Sequence, residues 1–510
     1  MIYFSTLFIS LFISMSLIPV LRQAAFKFGA VDLPSERKVH LGPIPKIGGL
    51  AIALGSLAPV FLWAPRDRFV ISLLIGSAVI VLAGFFDDIF EWGYAKKFIA
   101  QIAAALIAIF IGGVKITSLG QLLPGLPVLP DPVAVPLTLI VIVGVTNAIN
   151  LSDGLDGLAG GISLMSFLCI GYLAFCSEQS AIAMFSVTVS GALFGFLIFN
   201  THPATVFMGD SGSQLLGYLA ITLSLSLSRG MEPLSTMLPV ILLGFPILDT
   251  ITVMCERIAR GVSPFKADKN HFHNRLIKLG FLHKESVLCI YLIQSLLVVF
   301  ALRYRFYSEW FLLIVYLAFA GAIIAGFHMA DRSGWTFSRI DYVDRFFSTR
   351  LGALKRNNLL IRISFPIVEI GLPLLLITTA LIPTKVPPYV AASSAFFMVI
   401  ISLIWKFRKE MLPRVLRICL YLIIPFITYL DQDDALQWMG RTTWILYCST
   451  FLFLFVFAIL TVKYTRRRRG FRSTPMDFLI LIVALVLPML SGEMGLTHQM
   501  GLLAVKILIF

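Results

Sequence analysis

Two stretches of this chain have residue types and spacing that ask for chemistry: Asp87-Asp88, and Asn147-Ala-Ile-Asn150-Leu-Ser-Asp153-Gly-Leu-Asp156-Gly. Adjacent carboxylates at a membrane boundary repel each other and resist burial. A divalent cation relieves both costs, because hard Mg²⁺ takes carboxylate oxygens and leaves positions for phosphate. In the second stretch Asn147, Asn150, Asp153 and Asp156 recur at every third residue, so a helical or 3₁₀ segment sets them along one side. Helix capping accounts for one such residue, not for four in register. Gly154 and Gly157 permit a break and a close approach of ligand to backbone.

Three further clusters carry polar residues in ordered spacings. Asp32 to His40 is a loop in which Arg37 and Lys38 can hold phosphate oxygens, with His40 two residues on and Pro43, Pro45 and Gly48-Gly49 fixing an irregular path. Phe207-Met208-Gly209-Asp210-Ser211-Gly212-Ser213 leads into an apolar segment, so Asp210 and Ser211 fall at a helix N-terminus, where backbone N–H groups also favour anions. Asp249 lies inside an apolar run, a costly place for a carboxylate, and is followed by Arg257, Arg260, Asp268, His271, His273, Asn274 and Arg275. His271 and His273 have metal-ligand chemistry, but with no third soft ligand nearby hydrogen bonding to substrate is favoured. Lys97 and Gln101 follow Asp87-Asp88 along one face of the next helix.

The elements that must position these residues are membrane helices. The 510 residues are 58% hydrophobic and 13% charged, with a mean hydropathy of +0.91, so the bilayer is the solvent for most of the chain. Apolar runs near twenty residues recur throughout without the alternation of a transmembrane barrel, which predicts an all-α polytopic protein of about sixteen spans. The first run, Ile2 to Leu21, lacks a basic leader and a small-residue cleavage site and reads as a retained helix. Lys and Arg collect in alternate loops, while the intervening turns are short and neutral or acidic. The positive-inside rule then sets the N-terminus outside and all five polar clusters on the cytosolic face. The net charge of +14 faces anionic headgroups and phosphorylated substrate by this distribution, not nucleic acid. The six cysteines form no CxxC pair and read as inert buried thiols.

The chain changes character along its length. Residues 1–330, about eleven helices, hold every polar cluster, and residues 331–510, about five more, have inward loops that carry mainly Lys and Arg. For this extension a partner-docking module, a homodimer interface and a second activity all stay open.

Taken together the clusters resemble the polyprenyl-phosphate N-acetylhexosamine-1-phosphate transferases, a family that includes phospho-MurNAc-pentapeptide translocase. The matching pieces are Arg37-Lys38-x-His40, Asp87-Asp88, Asn147 to Leu158, Phe207 to Ser213, Asp249 and His271-x-His273, in family order. The resemblance implies a Mg²⁺-dependent glycosyl-1-phosphate transferase (EC 2.7.8 class), with Mn²⁺ as a substitute, in the bacterial inner membrane. It would move an N-acetylhexosamine 1-phosphate from a UDP-sugar to undecaprenyl phosphate and release UMP. Such a product begins cell-envelope glycans such as O-antigen lipopolysaccharide and wall polymers. No ATP is implied, and the chain has no G-x-x-x-x-G-K-[ST] loop.

By this resemblance Asp210 ligates the metal, Asp87 and Asp88 hold or deprotonate the lipid phosphate and approach the metal too, and Asn150, Asp153 and Asp156 bind the uridine end. Phe207 stacks on uracil, and His271 and His273 contact sugar or diphosphate. One departure is Asn274, where the sugar-1-phosphate branch usually has a third His. The short His loop is nearer the GlcNAc-type branch than the muramyl-pentapeptide branch, which is the alternative. A transporter would place its acids at midplane on broken helices, often within a two-fold repeat, and neither is evident. A CDP-alcohol-type transferase would read D-G-x-x-A-R with a spaced Asp pair, and Asp153-Gly154-Leu155-Asp156-Gly157 does not.

Overall fold

The computed structural model describes residues 2–33, 42–123, 125, 128–229, 234–263, 270–336, 359–383, 386, 388–407, 412, 416, 419 and 440–464. Apart from one minimal antiparallel pairing, β1 (Val31–Asp32) with β2 (Ile44–Pro45), its regular structure is helical. Eight helices among the described residues are long and apolar enough to cross a membrane. This is a helical membrane protein; part of the expected set of about sixteen spans falls outside the described residues.

The chain divides into two compact units, Met1–Ser338 with Thr474–Leu479, and Arg339–Ser473 with Ile480–Phe510. The first begins with α1 (Ile2–Phe28), α2 (Gly48–Trp63), α3 (Arg68–Phe90), α4 (Tyr94–Phe110), α5 (Asp131–Leu151), α6 (Leu158–Cys176), α7 (Ser180–Asn200) and α8 (Gly209–Leu227). It continues with α9 (Leu238–Leu242), α10 (Gly244–Ala259), α11 (Phe272–Lys278), α12 (His283–Tyr304) and α13 (Glu309–Ser333). In the second unit α14 (Leu359–Leu381) packs on α16 (Arg441–Tyr464) through Leu375, Phe451 and Leu454, with α15 (Pro388–Phe407) between them in sequence.

The centre of the first unit is α8, which packs on α2, α3, α5 and α6. Only Gly209, Asp210 and Ser226 of this helix escape burial. A helix so enclosed must satisfy its polar side chains internally. It does so by turning hydroxyls back on its own carbonyls: Ser213 donates to Gly209 (3.0 Å), Thr222 to Tyr218 (2.7 Å) and Ser226 to Thr222 (2.8 Å).

Close approach at the N-terminal end of α8 depends on glycine. A Cβ on Gly84 of α3 would lie 2.5 Å from Ser211 Cα, and one on Gly49 of α2 would overlap the Gly212 backbone. The chain entering α8 is also tied to α2, since Gly48 N–H donates to the Phe207 carbonyl (2.9 Å) and Gly49 N–H to the Met208 carbonyl (2.8 Å). Three backbones thus meet where Asp210 emerges.

Candidate active site

Asp87 and Asp88 occupy the last turn of α3, which Glu91 closes in the left-handed conformation (φ 48°). Both are nearly buried, and they diverge in role. Asp88 turns to α8: its Oδ1 accepts the Asp210 N–H (2.9 Å), and its Oδ2 accepts the Ser211 N–H (3.3 Å) and Ser211 hydroxyl (3.1 Å). A carboxylate from another helix therefore caps α8, satisfying N–H groups that have no intrahelical partner. With both oxygens engaged, Asp88 holds the Asp210 backbone in place.

Asp87 faces the other way. Its Oδ2 pairs with Lys97 Nζ of α4 at 2.5 Å, and the same ammonium pairs with Asp210 Oδ2. Asp87 Oδ1 is buried and has no hydrogen-bond partner among the described residues. Asp210 Oδ1 accepts from Asn150 Nδ2 of α5 (2.9 Å), which also donates to Ser213 Oγ (2.8 Å). Asn147, one turn earlier, donates to Gln101 Oε1 of α4 (2.6 Å), and Gln101 donates to Gln214 of α8 (3.0 Å). This amide ladder locks α4, α5 and α8 side by side beneath the acids. Lys97 and Asn150 therefore touch the Asp210 carboxylate directly, while Asn147 stands one step back, joined to α4 through Gln101.

The every-third-residue pattern does not continue as one helix. α5 ends at Leu151, and Asp153 and Asp156 lie in the turn before α6, whose break is Gly157 in the left-handed region (φ 81°). Gly157 N–H donates to Asn200 Oδ1 (2.9 Å), and its carbonyl accepts from the Tyr291 hydroxyl (2.6 Å), so the turn is pinned from α7 and α12. Burial, then the negative charges of Asp210, Asp88 and Asp156, push Asp153 up to about 7. Asp153 thus senses the same acidic basin, and a cation there would draw it back down. Asp156 turns away, accepting from the Ala204 N–H (3.1 Å) and contacting His202 Nδ1 (2.7 Å).

The histidine loop folds over this turn. Gly154 lies so close to the His273 ring that a Cβ there would overlap it. The His271 and His273 rings stack with centroids 5.8 Å apart. Asp249 of α10, 1% exposed, accepts from Phe272 N–H (2.8 Å) and contacts His271 Nδ1 (2.9 Å). Both its oxygens are engaged behind the loop, so Asp249 positions His271. Burial holds His273 down at about 4, so its imidazole is neutral at pH 7.

A stability prediction follows from that neutral ring. An unfolded imidazole titrates near ~6.5, so only the unfolded chain gains this proton as pH falls below that value. The contribution of neutral His273 is complete above ~6.5 and is lost as pH drops toward about 4. His273→Gln should shrink the drop in melting temperature between pH 7.5 and pH 5 in detergent, and an unchanged drop would refute the assignment.

Phe207 is half-buried, and its backbone bridges Lys46, with its N–H donating to the Pro45 carbonyl (2.8 Å). Arg37, Lys38 and His40 lie outside the described residues, as does Asp268. Sequence reasoning passed over His202 and His283, which stack at 4.2 Å beside Asp156. His202 stands five residues before Phe207 and could have been read with that cluster, whereas nothing local marks His283, the first residue of α12.

Asp87 and Asp210 thus share one ammonium at the mouth of a buried helix, with Asp88 on the backbone N–H groups of that helix and Asp153 near enough to be raised by the charges of Asp210 and Asp88. Such a cluster in a helical membrane protein has the donor chemistry for cations and phosphate oxygens. Comparison with known proteins gives the family. Residues 70–228 match the glycosyl transferase family 4 profile. A probable undecaprenyl-phosphate N-acetylglucosaminyl 1-phosphate transferase of Bacillus subtilis (strain 168) is 36% identical over 322 residues, covering 61% of this chain and 88% of that protein. The undecaprenyl-phosphate alpha-N-acetylglucosaminyl 1-phosphate transferases of Escherichia coli (strain K12) and Yersinia pestis are 31% and 29% identical, covering 58% and 60% of this chain and 83% and 86% of theirs. The chain belongs to glycosyl transferase family 4 and is a membrane transferase.

Proposed function

We propose that this protein transfers GlcNAc 1-phosphate from UDP-GlcNAc to undecaprenyl phosphate at the cytoplasmic face of the bacterial inner membrane, releasing UMP. The observation that carries the reading is the Lys97 bridge between Asp87 and Asp210, with Asn150 on the free side of Asp210. Convergence of Asp88, Lys97 and Asn150, from three different helices, on Asp210 suits a reaction whose main difficulty is charge. The sugar is taken from the three relatives above, each an N-acetylglucosaminyl 1-phosphate transferase.

An oxygen of the lipid phosphate attacks the sugar-bearing phosphorus of the diphosphate, and the bond to the UMP oxygen breaks. One phosphoanhydride replaces another. The nucleophile is already anionic, so the protein's work is neutralisation and in-line placement. Lys97 pairs with two of the carboxylates and is positioned to exchange one of them for a phosphate oxygen. Asp87, with a buried oxygen that has no partner among the described residues, and Asp210 have the donor chemistry to hold Mg²⁺, and Asp88 fixes the Asp210 backbone. When bound, Mg²⁺ offsets the diphosphate charge. Asp153 and Asp156, on the glycine-broken turn, take the uridine end, and neutral His273, beside Gly154, serves the sugar or diphosphate as a hydrogen-bond partner.

The direct test incubates purified protein with undecaprenyl phosphate, Mg²⁺ and labelled UDP-N-acetylhexosamines, with EDTA as control. Label should enter lipid from UDP-GlcNAc, with equimolar UMP, and EDTA should stop it. Transfer from another UDP-sugar alone would replace the donor, and no transfer from a protein that binds no nucleotide would refute the reading. Asp156→Ala should raise KM for UDP-GlcNAc about tenfold with a smaller change in kcat, the pattern of lost ground-state binding. An unaltered KM would remove Asp156 from the nucleotide.

A further inference from the structure

We propose that Asp156, His202 and His283 form a binding site for one borderline divalent transition ion of the Zn²⁺ class, separate from the carboxylates around Lys97. The three arrive from different elements: the turn after α5, the loop after α7 and the first residue of α12. One donor atom from each lies within 4.8 Å of the other two. His202 Nδ1 is 2.7 Å and His283 Nε2 is 4.0 Å from the same oxygen, Asp156 Oδ2. The two imidazoles stack with centroids 4.2 Å apart and planes 25° from parallel.

A simple Asp–His hydrogen bond accounts for half of this arrangement and leaves the other half unexplained. His283 Nε2 is buried and makes no hydrogen bond among the described residues. A buried polar nitrogen left unpaired is costly, and 4.0 Å is too far for Asp156 to satisfy it. Donors that share one ion, each about 2.0–2.2 Å from it, stand roughly 3–4 Å apart. The gap therefore suits an ion better than a proton. The Ala204 N–H, 3.1 Å from Asp156 Oδ2, supplies the orienting bond that ligating carboxylates have.

Donor chemistry decides which ion. Two imidazole nitrogens and one carboxylate match Zn²⁺ and its first-row neighbours, whereas Mg²⁺ requires oxygen and prefers the Asp87–Asp210 cluster. The side chains are partly exposed, 31% for His202, 17% for Asp156 and 18% for His283, so the cluster is not sealed in the core. If the nucleotide reading above holds, an ion here withdraws the Asp156 carboxylate from the UDP-sugar. Zn²⁺ and UDP-GlcNAc would then compete.

Co²⁺ titration of the full chain in detergent, with excess Mg²⁺ present, tests the site directly. Wild type should bind one equivalent with visible d–d absorption, and His202→Gln and His283→Gln should each bind at least about tenfold more weakly. Zn²⁺ should also raise the melting temperature of wild type and leave both variants unmoved, so a variant that folds poorly does not decide the matter alone. No Co²⁺ uptake by wild type, or uptake unchanged in both variants, overturns the site. In the transfer assay Zn²⁺ should raise KM for UDP-GlcNAc at constant kcat in wild type and not in His283→Gln. A fall in kcat that survives His283→Gln would put Zn²⁺ at the Lys97 cluster and end the competition argument. Absence of transfer under every condition would remove the functional reading and leave the Co²⁺ titration to judge the site by itself.

Discussion

Asp210→Asn should lower kcat for lipid-linked transfer by roughly 10³-fold while the protein still folds. The side chain keeps its size, and an amide can still meet Asn150, which lies 2.9 Å from Oδ1. What disappears is the charge that shares Lys97 with Asp87. Lys97 would then be held by Asp87 alone, and one of the two anionic donors available for a divalent cation would be gone. Because these interactions matter most when the diphosphate is being divided, kcat should fall much further than the affinity for UDP-GlcNAc. The measurements are initial rates over a Mg²⁺ series, with nucleotide binding and a melting curve as companions. Activity within a few-fold of wild type would remove Asp210 from the reaction, and a lost melting transition would mean that its role is structural.

Gly209→Ala should be nearly as damaging without touching a charged group. Gly209 has φ +73°, where an L-residue pays about 1–2 kcal/mol. Its new Cβ would also lie 2.5 Å from Asp88 Oδ2 and 2.9 Å from Asp88 Cγ. Asp88 would have to leave the N–H groups of Asp210 and Ser211, and the first turn of α8 would shift with it. A displacement near 1 Å at a reacting centre costs about 10²-fold, and that is the fall expected in kcat. Gly144→Ala is the matching control, since nothing lies within 4 Å of the Cβ it would add inside α5. If the two variants behave alike, the contact with Asp88 is not what positions Asp210.

These two variants also mark what could be read before the fold was seen. The acids themselves were legible. Asp87-Asp88 beside an apolar run, and Asp210 just after a glycine ahead of another, are local patterns whose cost in a membrane demands a use. Their division of labour was not legible. Asp87 and Asp88 look equivalent in sequence, yet adjacent residues at a helix end lie about 100° apart around the axis. One therefore meets Lys97 and the other meets the backbone of α8. The run Asn147 to Asp156 departs from its local pattern for a similar reason. Its spacing of three predicts one face, whereas α5 ends at Leu151 and the chain turns before Gly157. Only the packing of α12, with Tyr291 on the Gly157 carbonyl, decides where the chain goes after it.

The sequence by itself determined the solvent, the helical class and the family. Each of these depends on composition or on residues within a few positions of one another, and such local properties survive without coordinates. The tertiary structure decided which residues act on which. It made Asp88 the cap of α8, set Asp249 behind His271, joined Asn150 to Asp210, and stacked His202 on a His283 that stands 81 residues later in the chain numbering. Those pairings arise between helices distant in sequence, where glycines let backbones approach within reach of a single side chain, and no local spacing encodes a distance of that kind.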